Sequence, residues 1–172
     1  MTETSQPPKA ATPPSETELA QRLISGDITP AQFLGLSEER LYEIAAVGHR
    51  MLVDGRTQQA LTLFKGLVAS SPYDSVFHCH LAAAYVASQR YAEGMQEYTQ
   101  ALQLNIGNVD ALAGRSELYL REGKVAEALV DIQAALKLDP EARRETTQRA
   151  RTNLLVLKRM ADEVGSSEPR KP

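Results

Sequence analysis

Apolar residues recur along the chain at the spacing of helix faces, and from residue 41 onward the arrangement returns every 34 residues. Sliding the sequence against itself by that interval brings residues 41–74, 75–108 and 109–142 into register. Each segment predicts a first helix, a short turn and a second helix. Because such a pair cannot bury its apolar face alone, three consecutive pairs predict an all-α domain in which neighbouring pairs stack.

Each segment holds a small residue at one fixed position in each of its two predicted helices. Small side chains let two helices approach closely, whereas large ones would push the pair apart. The first helices carry Gly48, Ala82 and Ser116 at this position, and the second helices carry Ala60, Gly94 and Ala128.

The order of bulky, small and aromatic positions resembles the tetratricopeptide repeat. The first segment follows it with Phe64 at the aromatic position and Pro72 at its end, while Leu67 stands where the pattern expects a small residue. Ile106 replaces the closing proline of the second segment. The resemblance implies three tetratricopeptide repeats that form a short right-handed α-solenoid.

Residues 15–36 predict an N-terminal helical segment ahead of the repeats. Ser15 followed by Glu18 has the spacing of a capping box, and Thr29 followed by a proline is a second helix start. Residues 1–14 are rich in proline and offer no apolar face to bury, which predicts a disordered tail.

Beyond the repeats, the sequence predicts a single helix from about residue 141 to 164, which ends a tetratricopeptide domain spanning residues 37–164. This helix has no partner helix after it, and it places Ala150, Leu154, Leu157 and Ala161 on one face. We expect that face to cap the exposed core of the last repeat. Residues 165–172 have nothing to bury and predict a second disordered tail.

Net charge and composition exclude some classes of binding partner. The formal net charge is −3 and the pI about 5.7, which argues against nucleic acid as a partner. No apolar run reaches the roughly 18 to 20 residues of a membrane span. A single cysteine, Cys79, cannot form an internal disulfide, so we expect a cytoplasmic protein with no membrane contact.

Chemistry-bearing residues are few. His78, Cys79 and His80 are consecutive, and on a helix they would point about 100° apart, so they cannot converge on one metal ion. The sequence contains no nucleophile elbow, zinc-protease motif or phosphate-binding loop. We expect no enzymatic activity, no catalytic residue, no metal and no cofactor.

The first helices of stacked pairs usually line a concave groove, which is the binding face of this architecture. Its residues are apolar in the first two repeats and become polar in the third, which suits an extended peptide with apolar anchors. Alternatively, the N-terminal helix covers these residues and they are core. The predicted groove residues are Tyr42, Ala45, His49, Leu52, Val76, Cys79, Ala83, Val86 and Glu117.

One kind of tetratricopeptide groove is excluded. Domains that clamp the C-terminal carboxylate of heat-shock chaperones use Lys, Arg and Asn at set groove positions, and a buried carboxylate without a cation would be costly. Those positions hold Ala45, His49, His80, Asp110 and Gly114 here.

Residues 35–75, GLSEERLYEIAAVGHRMLVDGRTQQALTLFKGLVASSPYDS, resemble the opening of the class II translocator chaperones of bacterial type III secretion. Pro72, Tyr73 and Asp74 match a stretch that closes the first repeat in that family. Residues 81–85, LAAAY, depart from the Leu-Gly-Ala that members often carry.

The resemblance implies a bacterial cytoplasmic chaperone whose groove holds an extended segment of hydrophobic, translocator-like secreted proteins and prevents their premature aggregation. It also implies a homodimer formed through the N-terminal helices. The alternative is a general tetratricopeptide adaptor or scaffold for protein–protein interaction, without a secreted client.

Overall fold

A computed structural model describes residues 14–167, and within that range the chain forms nine α-helices and no strand. Residues 1–13 and 168–172, which hold most of the two predicted tails, lie outside the described part. The helices are α1 (Glu16–Ser25), α2 (Pro30–Phe33), α3 (Glu38–Val53), α4 (Thr57–Ser70), α5 (Ser75–Ala87), α6 (Tyr91–Leu104), α7 (Val109–Arg121), α8 (Val125–Leu138) and α9 (Glu145–Ser167).

The two short N-terminal helices start at the residues that the sequence indicates. The Ser15 hydroxyl accepts a hydrogen bond from the Glu18 amide at 3.3 Å. Thr29 and Gln32 form a complete capping box, in which each side chain accepts a hydrogen bond from the other residue's amide. Gly26 ends α1 with φ of 83°, a left-handed conformation that favours glycine.

Helix α1 lies against α2 and contacts no other helix of the described chain. It has no buried residue, and Ile24 is 86% exposed. In this conformation α1 therefore does not cover α3 or α5, so the groove residues are not core on its account.

The three helix pairs α3–α4, α5–α6 and α7–α8 stack as a short helical solenoid, as the sequence predicts. The two helices of each pair approach closely at the positions that hold small residues. A Cβ added at Gly48 would lie 2.7 Å from the Phe64 ring, and one added at Gly94 would lie 2.8 Å from Val86. Ala82 and Ser116 are completely buried. Any larger side chain at these positions would separate the paired helices.

Contact between successive pairs uses an aromatic residue of α4 and of α6. The Phe64 ring stacks on His80 of the next pair, with ring centroids 5.1 Å apart. The Tyr98 ring lies so close to Gly114 that a Cβ there would overlap it. Leu67, which departs from the repeat pattern, is nevertheless buried in the core around Phe64.

Several buried polar groups in the stack are paired across helices. Arg115 of α7 donates two hydrogen bonds to the Asp131 carboxylate of α8, at 2.7 and 2.9 Å. Asn108 caps α7 by accepting from the Ala111 amide and donates to the Ser75 hydroxyl at 2.7 Å. These bonds tie α7 to α8 and the start of α7 to the start of α5.

The last helix differs from its prediction at both ends. It begins at Glu145 instead of about 141, because the Asp139 carboxylate accepts hydrogen bonds from the amides of Arg143 and Arg144 and holds a turn there. It continues through Ser167, beyond the predicted end at 164. The helix packs on α7 and α8, as expected of a cap.

The predicted capping face is only partly correct. Ala150 is fully buried, and Leu154 and Leu157 pack against the core of the last pairs. Ala161 is exposed, because α9 is longer than the helices that it covers and its distal part extends beyond them.

Replacing Ala82 with Leu should destabilise the fold by about 1 to 3 kcal/mol, because the new side chain has no space between α5 and α6. Thermal unfolding followed by circular dichroism measures the change. Ala46→Leu is the control, since Ala46 is an exposed residue in the middle of α3. Equal melting temperatures for the two variants would contradict the packing described.

Candidate functional site

The first helices of the three pairs lie side by side, α3 with α5 and α5 with α7, and α9 continues the row beyond α7. Residues one repeat apart mark equivalent places along this row. They are Tyr42, Val76, Asp110 and Arg144. The face on which they lie is the candidate groove.

The first cavity of this groove measures about 420 Å³ and lies between α2, the start of α3 and the turn before α5. The Tyr42 hydroxyl donates to the Asp74 carboxylate at 2.9 Å, and the Tyr42 ring packs 5.2 Å from the Phe77 ring. Partial burial and the bond to Asp74 raise the pKa of Tyr42 to about 12. Tyr42 therefore presents a fixed, neutral aromatic surface to the cavity.

A second cavity of about 400 Å³ lies beside the first and shares Val76 with it. His80 of α5 forms one wall, and Asp110 and Arg144 form the opposite one. Cys79 is 8% exposed at its floor. Burial raises the pKa of the Cys79 thiol to about 12, so this thiol is unreactive at neutral pH.

His80 faces a second histidine across the groove. The His49 ring of α3 and the His80 ring have centroids 6.1 Å apart. Burial, followed by the proximity of His49, lowers the pKa of His80, so its imidazole is neutral at pH 7. Within residues 14–167 neither ring forms a hydrogen bond.

Charges at the C-terminal end of the groove neutralise one another. The Asp110 carboxylate accepts from Arg144 and from Thr146, each at 2.5 Å. The Glu117 carboxylate accepts from Arg149 at 2.9 Å, beside a third cavity of about 450 Å³. Helix α9 and the turn before it thus supply a cation for each acidic groove residue of α7. One end of the groove exposes the apolar surfaces of Tyr42 and Val76 among polar side chains, and the other end carries compensated charges.

The structure divides the nine predicted groove residues into three sets, of which the third, Ala45 and Cys79, is buried. Five are exposed or half-buried on the groove face: Tyr42, His49, Val76, Ala83 and Glu117. Leu52 and Val86 are partly buried and pack mainly against the core.

Ala45 requires a correction, and so in part does Cys79. Ala45 is only 2% exposed and belongs to the core around Phe64 and Phe77, so no ligand can contact its side chain in this conformation. Both residues occupy the fifth position of a first helix, and Ala113 at the same position is fully buried. This position turns toward the neighbouring helices rather than into the groove.

Three groove residues are absent from the predicted set: His80, Asp110 and Arg144. The sequence places Asp110 among the polar groove residues of the third repeat and His80 on the concave face or toward the neighbouring helix, but the predicted set omits both. The repeat register alone could have added both, since it puts them on the groove face. Arg144 precedes the last helix, and its place opposite Asp110 depends on how α9 packs.

His78 has a structural role that is separate from the groove. Its Nδ1 lies 2.6 Å from the Glu97 carboxylate and its Nε2 2.9 Å from the Pro72 carbonyl oxygen. Both partners only accept, so both ring nitrogens donate and the ring is an imidazolium. The hydrogen bond to Glu97 raises the pKa of His78. The side chain links the end of the first repeat to α6 and cannot join His80 at a metal ion.

Stability should depend on pH through His78. The pKa of His78 is higher in the folded state than in the unfolded state, where it is about 6.5. His78 therefore stabilises the folded state fully below about pH 6.5, and this contribution to the free energy of unfolding is lost as the pH rises through the folded pKa. Urea unfolding of the wild type and of His78→Gln should therefore differ more at pH 6 than at pH 9. A difference that grows with pH would show that the ring is neutral when folded.

Residues 14–167 contain neither a group of metal-binding side chains nor a helix suited to span a membrane. No three His, Cys, Asp or Glu residues between 14 and 167 are grouped so that they could hold a metal ion. None of the described helices is both long enough and apolar enough to cross a membrane.

Comparison with known families gives a match to the bacterial transcriptional activator domain over residues 17–107, which is more than half of the chain. The chain belongs to this family. The match runs from α1 through α6 and contains all the residues that line the first cavity, whereas Asp110 and Arg144 of the second cavity lie outside it.

Curated relatives are larger proteins. Human peptidyl-prolyl cis-trans isomerase FKBP4 is 27% identical over 145 residues, which cover 74% of this chain and 32% of the relative. Mouse sperm-associated antigen 1 is 25% identical over 117 residues, which cover 66% of this chain and 13% of the relative. The chain thus spans less than a third of the length of either.

Solved structures share the fold over nearly their full length. The Yersinia enterocolitica type III secretion translocator chaperone SycD has a TM-score of 0.66 at 23% identity, covering 75% of this chain and 98% of SycD. SycD in complex with a peptide of the translocator YopD has a TM-score of 0.62 at 23% identity, covering 73% and 97%. A type III secretion complex from Aeromonas hydrophila reaches 0.69 at 19% identity, covering 83% and 97%. The predicted resemblance to translocator chaperones is confirmed at the level of the fold.

Proposed function

We propose that this chain is a peptide-binding chaperone that holds an extended, apolar segment of a partner protein along its groove. The observation that carries the proposal is the pair of adjoining cavities between Tyr42 and Asp110, which share Val76 as a common wall. SycD, which has the same fold, is known in complex with a peptide of the translocator YopD.

The chemistry of the groove supports an apolar rather than a charged ligand. Asp110 and Glu117 are each paired with an arginine, Arg144 and Arg149 respectively, so neither attracts a cationic segment strongly. Tyr42 and Val76 offer partly exposed apolar surface in preformed cavities. A preformed groove of this kind can cover an aggregation-prone segment without a chemical step.

The partner class follows from the fold resemblance. We propose hydrophobic, translocator-like secreted proteins as clients and the bacterial cytoplasm as the place of binding. In this role the chain is not an enzyme, because covering the segment requires no bond to be made or broken.

Binding should be lost when a charge is placed in the groove. Ala83→Glu puts a carboxylate on its half-buried face, where the carboxylate is hydrated in the free protein and loses that hydration under an apolar peptide. We expect at least about tenfold weaker binding with unchanged melting temperature. Ala45→Glu is unsuitable for this test, since Ala45 is buried.

The measurement uses an array of overlapping fifteen-residue peptides from the proteins encoded next to this gene, with the YopD peptide and scrambled peptides included. Ala69→Glu, at an exposed position of α4, is the matched control and should bind as the wild type does. The proposal fails if no array peptide exceeds its scrambled version, or if Ala83→Glu binds as well as the control.

We also propose that α1 joins two copies of the chain. Ile24 is exposed and Leu19 and Leu23 are only half-buried, and within the described chain α1 contacts only α2. Pairing with α1 of a second copy would remove that apolar surface from water.

Deleting residues 1–27 should convert a dimer into a monomer and leave the repeats folded, because Ile28 and Ala31 still pack where α2 meets the solenoid. Light scattering after size-exclusion chromatography gives the mass of each form. A full-length chain that is already monomeric at high concentration would rule out the proposed pairing.

A second candidate is a general helical-repeat adaptor that joins proteins in a complex. The match to the bacterial transcriptional activator domain favours it, because that match covers α3 and α5, which form the first part of the groove. The identity of the array peptides separates the two functions. Binders from secreted, apolar proteins support the chaperone, whereas binders from regulatory proteins support the adaptor.

A further inference from the structure

An extended peptide that enters the groove brings main-chain N–H and C=O groups that lose their contact with water. Each such group needs a new hydrogen-bond partner, because burying it unpaired is costly. Most polar side chains around the first two cavities are already engaged. Tyr42 bonds to Asp74, Asp110 bonds to Arg144 and Thr146, and the Asn105 side-chain oxygen accepts from the Gly107 amide.

His49 and His80 are different. Neither ring forms a hydrogen bond within the described chain, although His80 is half-buried on the wall of the second cavity. The His80 ring is held in place by stacking on Phe64, with planes only 13° from parallel. His49 lies opposite on α3, where it is exposed and free to turn. The pair therefore presents unused donors and acceptors in a part of the groove where the other polar side chains named above are already bonded.

We propose that His49 and His80 hydrogen-bond the main chain of the bound segment between its apolar anchors. The inference rests on the proposed peptide-binding function and names the residues that select an extended backbone. A neutral imidazole has one donor and one acceptor, which match the C=O and N–H of a peptide. In this arrangement the cavities select the side chains of the ligand, and the histidines bind its backbone.

Protonation would remove this match. An imidazolium has two donors and no acceptor, and two such rings 6.1 Å apart would repel each other under a ligand that excludes water. Other charged groups near His80 are already compensated: Asp110 by Arg144, and Asp74 by its bonds to Tyr42 and the Val76 amide. His78 points away into the core, bonded to Glu97 and Pro72. Acid should therefore weaken binding through His80, the ring on the wall of the second cavity.

The test follows the affinity of one peptide with pH. The probe is the tightest array peptide that contains no Asp, Glu or His, labelled with a fluorophore and measured by anisotropy from pH 5.5 to 7.5. Wild-type affinity should fall about tenfold over that range toward acid. The double variant His49→Gln with His80→Gln keeps a donor and an acceptor at each position but cannot titrate, so it should bind at pH 7.5 and show a flat profile.

His49→Leu with His80→Leu is the matched variant without hydrogen-bonding groups. We expect about tenfold weaker binding at pH 7.5, with the circular dichroism spectrum and melting temperature checked against the Gln variant. If no peptide binds at any pH, the proposed function fails and this inference with it. If peptides bind but wild-type affinity does not change with pH, or the Leu variant binds as tightly as the Gln variant, only the role of the histidines is overturned.

Discussion

The close contact between the two helices of each pair is the constraint on which the rest of the fold depends. Gly48 accepts the Phe64 ring at a distance that no Cβ would allow, and Ala82 and Ser116 are buried without exposure at the same position of later pairs. Each second helix is thereby fixed on one side of its first helix. The opposite side of the first helices stays uncovered in every repeat, and stacking joins these sides into one groove.

The aromatic residues at the centres of α4 and α6 serve the groove as well as the core. Phe64 fills the space beside Gly48 and also stacks on His80 of the next pair. Tyr98 packs against Gly114 in the same way, where glycine leaves no side chain to project. One equivalent position thus carries an oriented imidazole in the second repeat and no side chain in the third. The repeat keeps its packing while its groove chemistry changes.

Much of the fold could be predicted because the residues that recur every 34 positions are the ones that pack the helices together. Small residues at fixed intervals indicate close helix contact, and capping residues such as Thr29 indicate helix starts. The groove was less predictable. Alanine is equally compatible with a buried site and an exposed one, so Ala45 could not be distinguished from Ala83 by type. The place of Arg144 opposite Asp110 depends on the turn at Asp139, which the periodicity does not describe.

Helix α9 has two roles that cannot be separated. Its Ala150 seals the end of the core, while Arg149 and the preceding Arg144 neutralise Glu117 and Asp110 in the groove. A change that shifts α9 therefore alters the stability of the last repeat and the electrostatic potential of the groove together. Replacing Arg144 or Arg149 to suit a more basic ligand would also change the segment that closes the solenoid, so ligand preference and stability of the last repeat are coupled.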